Sequence, residues 1–284
     1  MNAAAPDDTI VFLHVPKTAG NTVTRLLDRH YAPDRRYAVP TSPREIPPLE
    51  EILAGLRSLP PDLLERLDLV TGHFPFGVHA ALPRRARYVT FVRDPVERVV
   101  SLYHYLRSHP THHLRGDANR LTLREFAEGN VSGNLHNGQT AFLAGKGIWH
   151  DRFDDGLLAE ALANIEHDFA AVGVTDRLDE SVLALRRRLG WRAPVYYRSQ
   201  NVNSARPREA LDPETAAAIE ALNELDRRLY DRAQELLDLE LEQLGIDVRS
   251  ELRALRARSN AYRVAADARR RVRRLLRAGA PRSG

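Results

Sequence analysis

Lys17, Gly20 and Thr22, inside the stretch HVPKTAGNT (residues 14–22), place a cation, a position without a Cβ and a hydroxyl donor within six residues. They follow the apolar run TIVFL without a gap. The amides of Thr18, Ala19, Gly20, Asn21 and Thr22 therefore open the next helix, whose dipole favours an anion at that end. Gly20 permits close backbone approach, and Lys17 adds a mobile point charge. The common phosphate loop, G-x-x-x-x-G-K-[ST], carries an earlier glycine and places its lysine directly after the second. Here the lysine precedes the only glycine by three residues, which weakens a nucleoside-triphosphate kinase or ATPase. The bland alternative is a plain turn with a surface lysine.

A second constellation lies in YVTFVRDPVERVVSLYHY (88–105). Arg93 ends an apolar run, Asp94 and Pro95 fit an N-cap and first helical residue, and Ser101 follows two turns on. Glu97, Ser101 and Tyr105 share one helix face at i+4 steps. Arg93 and Ser101 can grip an anion from a neighbouring strand. Glu97 and Arg98 are expected as solvated helix charges, and Asp94-Pro95 as a cap and nothing more. Two anion grips on one sheet imply a ligand with two separated anionic groups.

The elements that must position these residues read as follows. TIVFLHV (9–15), LDLVTGHF (67–74), RYVTFVRD (87–94) and FAAVGVTDRL (169–178) are strand candidates. NTVTRLLDRHY (21–31), PVERVVSLYHYLRSH (95–109), DESVLALRRRLG (179–190) and the long stretch 212–244 read as helices, and 49–67 as one or two helices broken at Pro60-Pro61. Residues 32–48 read as a loop, and the middle, 109–145, as loops with short helices. This order predicts an α/β chain with a P-loop-like three-layer fold, a mainly parallel sheet flanked by helices.

Composition narrows the class. Hydrophobic residues at 43% and charged residues at 28% describe an ordinary globular chain. There is no cysteine, so disulfides, thiolate metal sites and cysteine nucleophiles are excluded, and a reducing compartment fits. The start MNAAAPDDTI lacks a signal-peptide pattern and no apolar run spans a membrane. A cytoplasmic protein without a transmembrane segment is the expectation. The net charge of +4 is uneven: from Arg249 onward twelve arginines stand against Glu251 and Asp267, a balance of +10 that leaves −6 for the rest. The chain thus divides into a domain over 1–248 and a basic helical extension over 249–284, expected to be peripheral. That extension can recruit an anionic partner, self-associate through Leu252, Leu255, Val264, Val272, Leu275 and Leu276, or simply be solvated.

HVPKTAGNT and FVRDPVERVVSLYHY together resemble the two signatures of sulfotransferases that use 3′-phosphoadenosine 5′-phosphosulfate (PAPS). TGHFPFGVH and NGQTAFLAG resemble the carbohydrate branch that includes heparan sulfate 2-O-sulfotransferase and its bacterial relatives. The similarity runs from about Ile10 to about Pro207. The resemblance implies that Lys17 to Thr22 hold the 5′-phosphosulfate, that Arg93 and Ser101 hold the 3′-phosphate, and that VGVTDRLDES and RSQNVNSARP, with Asn203 and Ser204, complete the nucleotide pocket. It implies sulfuryl transfer to a hydroxyl acceptor, a carbohydrate in this branch, with 3′-phosphoadenosine 5′-phosphate (PAP) as product and no obligatory metal.

Such a transfer needs an in-line acceptor hydroxyl, a base for its proton and a cation at the leaving oxygen, where Lys17 is placed. Histidine suits the base. His73 follows a strand, where open α/β sheets collect ligands. In the family this position often belongs to a His-Gly-His triplet, but the first histidine is Thr71 here, so His73 carries the role alone with His79 in reserve. His104, His109, His112 and His113 make zinc conceivable, but without cysteine or an acidic triad a polar loop near the acceptor is favoured, with Arg115 and Arg120 suited to an anionic sugar. An arginine expected after Gln139-Thr140 is Ala141, which bears on acceptor choice. A phosphate-loop kinase and a non-catalytic binding module remain as alternatives.

Overall fold

A computed structural model describes residues 1, 3–40, 46–147, 150–198, 211–245 and 247–278, with side chains as far as 269. Asn203 and Ser204 lie outside the described residues. All four expected strands form: β1 (Thr9–Leu13), β3 (Leu69–Gly72), β4 (Ala86–Val92) and β5 (Phe169–Val174). A fifth, β2 (Arg36–Ala38), lies where a loop was expected. It is a three-residue edge strand, paired among the described residues with β3 alone, and too short for its periodicity to stand out of a proline-rich stretch.

The sheet order is β2-β3-β1-β4-β5, and every pairing is parallel. Parallel strands are buried on both faces, which is why β1 reads as an unbroken apolar run. Successive side chains point to opposite faces. Val11 and Leu13 join one core cluster, while Ile10 and Phe12 join the other.

The helices supply the outer layers. They are α1 (Gly20–Leu27), α2 (Leu49–Arg57), α3 (Pro61–Glu65), α4 (Pro95–Ser108), α5 (Arg115–Arg120), α6 (Leu123–Glu128), α7 (Gly138–Leu143), α8 (Asp155–Asp168), α9 (Leu178–Arg188), α10 (Pro213–Ala221), α11 (Glu224–Gln243) and α12 (Val248–Ala278). Val23, Leu26 and Leu27 of α1 and Val182, Leu183 and Leu185 of α9 cover one face. Leu56 of α2, Ile165 of α8 and Leu229 and Leu237 of α11 cover the other. A third cluster gathers α4, α5, α6 and α10 through Val99, Leu106, Ala118, Phe126 and Ile219.

Three features depart from the expectation. Helix α8 was not among the expected elements; Asp154 caps it by accepting from Leu157 N–H at 3.1 Å, and its buried apolar residues recur at helical spacing. The stretch 212–244 divides at Asn223, whose side chain is taken up by Asn137 and Ile219. The basic extension is helical but not wholly peripheral: Leu255 is fully buried in the cluster beneath α9. Among the described residues, no helix is long and apolar enough to cross a membrane.

Candidate active site

His73 follows β3, the Lys17 turn follows β1 and Arg93 follows β4, and these are the three adjacent central strands. Strands β2 and β3 lie on one side of β1, and β4 and β5 on the other, so winding reverses beside β1. Open parallel sheets bind ligands at the carboxyl ends of strands at such a reversal.

The turn from β1 into α1 is tightly wound. Lys17 (φ 72°) and Ala19 (φ 64°) are both left-handed, at roughly 1–2 kcal/mol each for a residue with a Cβ. Thr18, buried between them, donates from its hydroxyl to Val15 O at 2.9 Å and ties the turn to the strand. Ala19 is the N-cap of α1 with no side-chain cap bond. Its carbonyl accepts from Thr22 and Val23 N–H, whereas Gly20 and Asn21 N–H have no acceptor among the described residues. Helix starts leave such donors for a capping side chain, water or a ligand. Asn21 is exposed and Thr22 buried.

Gly20 also makes room for a side chain from the preceding strand end. A Cβ there would come within 1.5 Å of His14 Nε2, so the missing side chain makes room for the His14 ring. That imidazole stacks on Phe12 with centroids 5.4 Å apart and meets the His73 ring at 4.0 Å. His73 Nδ1 donates to His14 O at 2.6 Å. A carbonyl accepts only, so the proton sits on Nδ1 and the neutral His73 keeps a lone pair on Nε2. Burial lowers the His73 pKa, the bond to His14 O opposes that, and the nearby Lys17 charge lowers it further. His14 is held well below the usual imidazole value by burial first, then by His73 and Lys17. Both rings are therefore neutral near pH 7. His79 is engaged elsewhere. The Tyr88 hydroxyl accepts from His79 N–H and, at 3.0 Å, donates to His79 Nδ1.

The helix of the second constellation meets this turn. Lys17 Nζ lies 4.1 Å from the ring centroid of Tyr105 on α4, one turn beyond half-buried Ser101. Arg93 Nη2 pairs with exposed Glu97 at 3.1 Å, while Arg93 Nε is buried with no partner among the described residues. Thr175 Oγ1 is also buried with no partner among the described residues; like Arg93, it stands one residue past the Val92–Val174 register pair.

Two expectations for this helix are corrected. Arg98 is fully buried, facing Asp226 at 3.6 Å and donating to Asn134 O at 2.8 Å. Its i+3 and i+4 offsets do not reveal that α11 closes over it. Asp94 does cap α4 by accepting from Glu97 N–H at 2.9 Å, but its other oxygen pairs with Arg227 at 2.7 Å. At the far end of α4, His109 Nδ1 donates to Tyr105 O at 2.8 Å, and the His112 and His113 rings stack at 4.7 Å. Arg115 Nε donates to Arg107 O at 3.4 Å, and Arg120 pairs with Asp117 at 2.5 Å. Among the described residues, no group of three or more His, Cys, Asp or Glu is placed to hold a metal.

The model of the galactose-3-O-sulfotransferase family matches residues 1–267. The chain belongs to that family. Human galactose-3-O-sulfotransferase 2 is 29% identical over 277 residues, covering 89% of this chain and 66% of the relative. Human heparan-sulfate 6-O-sulfotransferase 1 is 27% identical over 274 residues, covering 81% and 66%. The chain thus spans slightly less than two thirds of these relatives, and 55% of bovine galactose-3-O-sulfotransferase 3. A solved sulfotransferase from Alicyclobacillus acidocaldarius is 16% identical, covers 86% of this chain and 100% of its own, and has a TM-score of 0.46. Family membership does not favour the phosphate-loop kinase.

Sequence reasoning missed three participants at this family member's site. His14 was visible in the first motif but had no assigned task, because its partner His73 is 59 residues away. Gln139, in the motif NGQT, grips Arg93 from another element. Asp226 lay in an unremarkable amphipathic helix, and nothing local distinguishes it from the exposed acids around it.

Proposed function

We propose that this chain moves the sulfuryl group of PAPS to a hydroxyl of a carbohydrate. The observation that carries it is the pair of anion grips on neighbouring strands: uncapped amides with Lys17 after β1, and after β4 the Arg93 Nε, buried with no partner among the described residues. The donor has two anionic groups at the two ends of one ribose, which suits two grips and not one. Family membership supports the same chemistry.

Roles follow from position. The turn Lys17, Thr18, Ala19, Gly20, Asn21 and Thr22 cradles the 5′-phosphosulfate, with Thr18 bracing the turn from below. Arg93 and Ser101, assisted by Thr175, take the 3′-phosphate. His73 Nε2 accepts the acceptor hydroxyl's proton as that oxygen bonds to sulfur. The bond from sulfur to the bridging phosphate oxygen breaks, its electron pair stays with that oxygen, and Lys17 and the open α1 amides neutralise the new charge. Lys17 must leave the Tyr105 ring to do so, a move its four-carbon stem allows.

A second reading of the base rests on the 4.0 Å contact of the His14 and His73 rings, which makes His14 the alternative. For the acceptor, the matched family directs attention to galactosides, and the resemblance of TGHFPFGVH and NGQTAFLAG to the 2-O branch adds heparan-type sugars.

Calorimetry of PAP beside AMP and ATP with Mg²⁺, on wild type and Arg93→Ala, tests the donor. Preference for PAP that disappears in the variant is expected. Preference for ATP with Mg²⁺ would overturn the proposal. Transfer of labelled sulfate to galactosides should then survive Arg93→Ala at raised donor concentration and fall about 10²–10⁴-fold in His73→Ala. A collapse in His14→Ala with His73→Ala active would move the base to His14.

A further inference from the structure

Gln139 is fully buried, and both ends of its carboxamide are spent on one residue. Arg93 N–H donates to Gln139 Oε1 at 2.9 Å, and Gln139 Nε2 donates to Arg93 O at 2.9 Å. The two bonds close a ring between β4's last turn and α7, 46 residues on in the chain. Backbone donors and acceptors past the end of a strand ordinarily go to water or a turn. Here they go to a side chain that itself cannot move.

What immobilises Gln139 is a buried carboxylate. Gln139 N–H donates to Asp226 Oδ2 at 3.1 Å, and Thr140 N–H and Oγ1 both donate to Asp226 Oδ1 at 2.8 Å. Asp226 N–H in turn donates to Asn137 Oδ1 at 3.1 Å, and Asn137 N–H to Asn223 Oδ1 at 2.9 Å. The same carboxylate faces Arg98, three residues before Ser101 on α4. One buried acid on α11 is thereby joined to Arg93 through Gln139, and to the helix of Ser101 through Arg98.

We infer that Gln139 is a positioning residue for the 3′-phosphate grip: its bidentate clamp on the Arg93 backbone aims the guanidinium, and so sets how strongly the site prefers a nucleotide phosphorylated at the 3′ position. The inference rests on the proposed donor site. An arginine at the end of a strand, with exposed Glu97 as an alternative partner at 3.1 Å, is free to swing toward solvent unless its backbone is fixed. Fixing the backbone removes that cost before the ligand arrives. A carboxamide suits the clamp because it offers a donor and an acceptor side by side, matching the N–H and C=O of the single residue Arg93.

The test compares the affinity ratio of PAP to AMP in wild type, Gln139→Leu, Gln139→Glu and Leu56→Ala, by calorimetry with unfolding midpoints measured alongside. Gln139→Leu keeps volume and loses both bonds, and Gln139→Glu keeps an acceptor for Arg93 N–H and loses the donor. The expected result is a PAP affinity lowered about tenfold in Gln139→Leu, the worth of two hydrogen bonds, with AMP unchanged and an intermediate loss in Gln139→Glu. Leu56→Ala, a core truncation on α2, should lower the midpoint and leave the ratio alone. Should Gln139→Leu not fold, Gln139→Glu carries the comparison. A Gln139 variant that folds and keeps the wild-type ratio overturns the clamp while the donor site stands, as does an equal fall of the ratio in Leu56→Ala. A wild type that does not prefer PAP to AMP overturns the donor reading and the clamp with it.

Discussion

Gly20→Ala tests the packing under the candidate site most directly. A methyl group at that position would lie 1.5 Å from His14 Nε2 and about as close to the ring carbons, at 1.9 and 2.1 Å. The ring cannot tilt away freely, because Phe12 stacks on it at 5.4 Å and His73 meets it at 4.0 Å. Overpacking of this kind costs about 1–3 kcal/mol. Alanine also favours a helix over glycine by up to about 1 kcal/mol, which offsets part of that loss at the first residue of α1. In a His14→Ala background the obstacle is gone and only the helical gain remains. Gly20→Ala should therefore destabilise the wild type and be neutral or stabilising beside His14→Ala, and because the helical gain cancels between backgrounds the coupling equals the overpacking cost of about 1–3 kcal/mol. Urea unfolding of the four members of the cycle measures it, with unchanged m-values as the check on two-state behaviour. A coupling within about 0.5 kcal/mol of zero would refute the argument that His14 is what excludes a side chain at residue 20.

Two more outcomes follow from the same geometry. Asp226→Ala strands buried Arg98 and the amides of Gln139 and Thr140, and should lower stability by about 3–5 kcal/mol in denaturant melts, whereas Glu97→Gln, which removes the exposed partner of Arg93, should change it by less than about 1 kcal/mol. Acid should weaken both fold and turnover. His14 is depressed in the folded chain, so the unfolded chain binds the proton first, and stability is full above the unfolded value of about 6.5 and is lost as pH falls through the window beneath it. Midpoints at pH 7.5 and 5.5 should therefore diverge more in wild type than in His14→Phe. Because burial also lowers His73, the acid limb of kcat/KM should have its midpoint below about 6.5, and a midpoint above pH 7 would reject a neutral His73 as the base.

Local pattern determined much of this protein. The strand runs, the turn that opens α1 and the capped start of α4 are set by residues a few positions apart, and hydrophobic periodicity with the two anion motifs carries that information. Even the parallel sheet follows from strands separated by helices. Tertiary structure decided what lies between elements. The three-residue β2 exists because β3 offers it an edge. Arg98, which looks like a surface charge, is buried because α11 brings Asp226 against it. Leu255 anchors a helix whose arginines suggest a solvated tail. The task of Gly20 depends on the His14 ring, whose place is bounded by His73 from another strand. In each case the deciding partner is distant in sequence, and desolvation or steric exclusion acts only once the chain has folded the two together.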